Sequence, residues 1–96
     1  MSPDNKKKLE KIRVKLDKLD NKLLTLIKHR TSLVKEVLKL KEFKKEIVDQ
    51  KRIKFILNKI KGKSKKLKID PKITNRIWKN MILSYIDYER RNFKKK

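Results

Sequence analysis

Cysteine is absent from the chain, and His29 is the single histidine among 96 residues. Neither a disulfide framework nor a thiolate metal site can be assembled from such a chain, and one imidazole makes no metal cluster by itself. Glycine occurs once and proline twice, so only Gly62, Pro3 and Pro71 punctuate strongly, and strand-like alternation is missing too. No apolar run approaches the roughly 20 residues needed to span a bilayer, and residues 1–8 lack the apolar core of a signal peptide. The expectation is a chain with no membrane segment, no metal and no cofactor, working in the cytoplasm.

Acidic residues are also scarce. Lys and Arg number 32 against 11 acids, a formal net charge of +21. Such an excess points to nucleic acid, an acidic membrane surface or an anionic substrate. Most of the cations are lysines scattered along the chain, as on solvated helix surfaces, and neither aromatic interleaving nor a nucleic-acid motif accompanies them. A nucleic-acid partner is therefore disfavoured. Ninety-six residues make one domain, and so short a helical chain buries only a thin core alone, which argues for a second copy.

What is present in quantity is helical periodicity. From Leu9 the apolar residues run Leu9, Ile12, Leu16, Leu19, Leu23, Leu26, Leu33, Val37 and Leu40. Spacings of three and four describe a helix with a continuous buried seam. Pro3 and Asp4 suit its start, and a helix over about residues 4–42 would be roughly 58 Å long at 1.5 Å per residue. That is longer than one small globule needs. A second helix is expected after Asp49 as N-cap, with Ile53, Ile56, Leu57 and Ile60 on its apolar face and Gly62 at its end. Residues 63–68 then read as a basic loop. Asp70 and Pro71 open a third helix whose apolar face carries Ile73, Ile77, Trp78, Met81, Ile82, Tyr85 and Ile86. Residues 90–96 are mostly charged and are expected to fray.

Four charged side chains stand out against these patterns. Arg30 stands on the seam between Leu26 and Leu33, and a buried cation needs an anion. That anion is either an acid of a partner helix, such as Asp17 or Asp20, or a ligand. Lys41 follows Arg30 by eleven residues, close to three turns, so both leave the same face and could converge on one small anion. Arg13 precedes Arg30 by 17 residues, about 26 Å of helix, and could share that ligand only from an antiparallel second copy. Glu89 continues the spacing of Trp78, Ile82 and Tyr85, placing a carboxyl at the end of an apolar face. From spacing alone the favoured role for Glu89 is a partly exposed acid pairing with Arg90 or Lys41.

Taken in order, these elements resemble the all-helical class of chorismate mutases. Arg13 followed by Leu19-Asp20-Asn21-Lys22-Leu23-Leu24 is similar to the family's opening. Arg30 with Lys41 eleven residues on resembles its next signature, Asp49-x-x-Arg52 the start of its second helix, and 70–89 its closing helix. The likeness covers about residues 9–89 of a single domain over 1–96. It implies an all-α, intertwined homodimer of three-helix chains, converting chorismate to prephenate in aromatic amino-acid biosynthesis.

By position, the resemblance makes Arg13 (from the other subunit), Arg30 and Arg52 the holders of the substrate and its carboxylates. Lys41 would bond the ether oxygen and a carboxylate, and Asp49 would help receive the ring hydroxyl. Glu89 stands beside the ether oxygen, where the family has Gln or sometimes Glu. Arg30, Lys41 and Glu89 would be catalytic, with Tyr85 also touching substrate. Three departures stand out. Ile53 replaces the Glu that usually follows the second-helix Arg, Tyr85 replaces a small Ser-like residue, and the loop between Lys41 and Asp49 is one residue short. Ile53 and Tyr85 bring the chain nearer to the isochorismate-pyruvate lyases on the same fold. That lyase is the runner-up, followed by a basic helical dimer that binds nucleic acid and by a catalytically inactive relative.

Overall fold

The computed structural model describes residues 1–95 and is built from helices, with no strand among them. Helix α1 spans Pro3–Leu40, α2 Gln50–Lys66 and α3 Pro71–Asn92, with a single 3-10 turn at Lys44–Glu46 between α1 and α2. The all-helical, three-helix expectation holds. Ser2 caps α1: its hydroxyl accepts from Asn5 N at 3.2 Å and its carbonyl from Lys6 N at 2.9 Å. Pro3 follows in the first turn, where its missing N–H costs nothing.

The chain divides into two compact units, residues 1–33 and 34–96. The first is almost entirely α1. The expected buried seam is not buried in one chain: no residue of α1 is buried, and Ile12, Leu16, Leu19, Leu23 and Leu26 are all more than half exposed. A lone amphipathic helix has nothing of its own to cover such a stripe.

In the second unit α2 packs on α3, around Ile82 of α3 and Ile47 of the loop before α2. The two helices are also tied by a buried pair of hydroxyls, Ser64 and Thr74, whose oxygens lie 2.7 Å apart. Ser64 Oγ donates to Ile60 O at 2.6 Å, which uses its only proton. The Thr74 proton therefore goes to Ser64 Oγ, and the 3.4 Å approach to Pro71 O is secondary.

Two expected boundaries move. Helix α2 does not stop at Gly62 but continues four residues to Lys66, so residues 63–66 of the expected basic loop are helical. Nothing lies within 4 Å of a Cβ built on Gly62, whose φ is not positive; it is an ordinary helical residue. The stop falls instead at Lys68, in the left-handed region at φ 58°. Ile69 N then reaches Ser64 O and Lys68 N reaches Lys65 O, the paired bonds of a Schellman ending. Carrying the helix past Gly62 is what brings Ser64 to Thr74. At the other end, α3 keeps Arg90, Arg91 and Asn92 in the helix. Beyond it residues 93–95 leave the helix, and Lys95 donates from Nζ to Lys39 O; Lys96 lies outside the described residues.

Candidate active site

Lys41 is the first residue past α1, and its half-buried side chain points to α3. There Glu89 is 5% exposed, buried rather than partly exposed as spacing alone suggested. Lys41 Nζ donates to Glu89 Oε1 at 2.9 Å, with side-chain exposures of 16% and 7%. Two opposite charges at that separation in a largely dry setting neutralise each other and fix both rotamers. Of the two partners spacing offered Glu89, the structure selects Lys41 over Arg90.

The start of α2 holds the next pair. Asp49 is the N-cap, as expected, and its Oδ1 accepts from Arg52 N at 3.0 Å. That bond orients the first turn of α2 and leaves the Arg52 guanidinium to the side chains around it. The guanidinium carbon lies 5.3 Å from the Phe55 ring centroid. Ile53, one residue on, is half-buried and lines a groove of about 380 Å³ with Val48, Leu57, Ile82, Leu83 and Ile86. Among the described residues, the charged ones bordering that groove are Lys79 and Arg90. Tyr85 is half-buried on α3, one turn before Glu89.

The remaining candidates belong to the first unit. Arg30 is half-buried on α1. Arg13 is exposed and pairs with Glu10, one turn away, at 3.1 Å. Within the second unit, then, Lys41 joins Glu89 and Asp49 joins Arg52. Phe55 was not singled out from the sequence; an aromatic three residues after an arginine on one helix face was the available signal.

This all-helical chain, with a cation and a carboxyl joined where α1 ends against α3, can be set beside known proteins. The family model for chorismate mutase type II matches residues 12–90. A chorismate mutase of Methanocaldococcus jannaschii is 38% identical over 76 residues, 78% of this chain and 77% of that protein. No solved structure matches at a significant level. That family match and that relative make the all-helical chain an isomerase of aromatic amino-acid biosynthesis. The chain belongs to the chorismate mutase type II family.

Proposed function

We propose that this chorismate mutase acts on chorismate at composite sites built by two copies of the chain, each copy a single domain with its core over about residues 9–89. The observation that carries the site is the Lys41–Glu89 pair, 2.9 Å apart and largely shielded from water. The reaction breaks the ether C–O bond as a C–C bond forms within the same molecule, six electrons moving in one cycle. No proton, nucleophile or leaving group is involved. Catalysis therefore needs a flexible dianion held in its reactive chair and donors where charge gathers on the ether oxygen.

Each residue has a part that suits its chemistry. Arg30, Arg52 and the other copy's Arg13 offer planar forks to the carboxylates. Lys41 directs its ammonium at the ether oxygen. Glu89, paired with that ammonium, borders the same ether oxygen and holds Lys41 in place. Asp49 receives the ring hydroxyl, and Tyr85 borders the substrate one turn from Glu89.

The second copy is supported by the bare stripe of α1. Each of the five side chains from Ile12 to Leu26 would gain about 1 kcal/mol on passing from half exposed to buried. Arg13 and Arg30, about 26 Å apart along one helix, can meet one ligand only from two chains. No helix among the described residues is long and apolar enough to cross a membrane, and a cytoplasmic location completes the reading.

The test is to give chorismate to the purified chain, following its loss and prephenate formation by NMR, with isochorismate in a parallel sample. Prephenate from chorismate is the expected result. Pyruvate from isochorismate with chorismate untouched would transfer the site to the lyase reaction.

A further inference from the structure

Among the arginines whose partners are described, Arg52 is held differently from its neighbours. Arg13 pairs with Glu10 and Arg91 with Asp87, each one turn away on its own helix, and Arg91 lies 5.9 Å from the Tyr88 ring centroid as well. Arg52 also has an acid within one turn, Asp49, but the Oδ1 of that carboxylate accepts from the backbone N–H of Arg52 as the helix cap. No carboxylate pairs with the Arg52 side chain among the described residues. Its guanidinium instead lies 5.3 Å from the centroid of Phe55, a side chain 54% exposed and therefore doing little for the core. The Lys59 ammonium lies 5.7 Å from the same ring. Arg52, Phe55 and Lys59, spaced by three and four, share one face of α2.

A carboxylate partner would hold the arginine and also consume its donors and charge. An aromatic face holds a cation through its quadrupole and leaves every N–H free for an incoming anion. We propose that Phe55 is a positioning residue for substrate capture: its ring is the platform on which Arg52 is kept oriented and uncompensated. The inference rests on the reading that Arg52 binds a substrate carboxylate.

The carboxylate is present in ground and transition states alike, so loss of the platform weakens both equally. Phe55→Leu raises KM by about two- to fivefold, the size of an exposed cation–π contact, and leaves kcat unchanged. Phe55→Trp, which keeps a stacking face, restores the native KM. In an Arg52→Ala background Phe55→Leu has no further effect, because the ring acts only through that guanidinium. Circular dichroism and a urea midpoint on each variant check the fold. Two results overturn the proposal at different levels. If Arg52→Ala leaves KM and kcat unchanged, the assignment of Arg52 to the substrate fails, and the platform with it. If Arg52→Ala is damaging while Phe55→Leu matches the native chain, or Phe55→Leu acts as strongly without Arg52, only the role of Phe55 fails.

Discussion

Replacing Lys41 by Met separates what the Lys41–Glu89 pair does for the fold from what it does for the reaction. Met keeps the length and apolar stem of lysine but removes the ammonium, leaving the Glu89 carboxylate at 7% side-chain exposure with no cation beside it. Breaking one half of a buried pair costs about 3–5 kcal/mol, and the 16% exposure of the Lys41 side chain places this case near about 3. With a urea dependence of about 1–2 kcal/mol per molar, the midpoint should drop by about 2 M. Adding Glu89→Gln removes the stranded charge and should recover most of that loss. Activity should not recover, because the donor to the ether oxygen is gone. The assay is urea unfolding by circular dichroism at one fixed chain concentration, with kcat/KM measured on the same samples. A midpoint shift below about 0.5 M, or a double variant no more stable than Lys41→Met, would refute the claim that the pair is buried and mutually dependent.

Two further outcomes are expected. An Arg13→Ala chain mixed with an Arg30→Ala chain should regain activity, since one site of each heterodimer is then intact; no recovery despite demonstrated subunit exchange would mean that the site lies within one chain. Ile53→Glu should lower KM for chorismate by giving the ring hydroxyl a partner, and a folded variant with reduced activity would show that the apolar groove around Ile53 rejects the charge.

The long helix was legible because its cause is local: nine apolar residues at alternating spacings leave no competing structure. The end of α2 was not, because its cause is distant. Gly62 looks like a stop only while Ser64 has no reason to stay helical, and that reason is Thr74, ten residues on in another helix. Lys68 then takes a left-handed conformation that composition does not advertise. The site divides in the same way. Asp49 and Arg52 belong to one turn and could be read directly, whereas the choice of Lys41 over Arg90 for Glu89 spans 48 residues. Phe55 escaped because an exposed phenylalanine is unremarked until the cation on its face is seen. The α1 stripe is bare within one chain, since period reports that a face wants covering and not what covers it.

The Lys41–Glu89 pair also makes its two members unequally replaceable. A lineage carrying it can exchange Glu89 for an amide in one step, because Lys41 keeps a hydrogen-bond acceptor and its better-exposed ammonium still meets some water. The opposite order, with Lys41 lost first, passes through a chain holding an uncompensated carboxylate, less stable and without its ammonium donor. Of the two single substitutions, the exchange of Glu89 for an amide beside a retained lysine is therefore the less costly, and the loss of Lys41 the more costly.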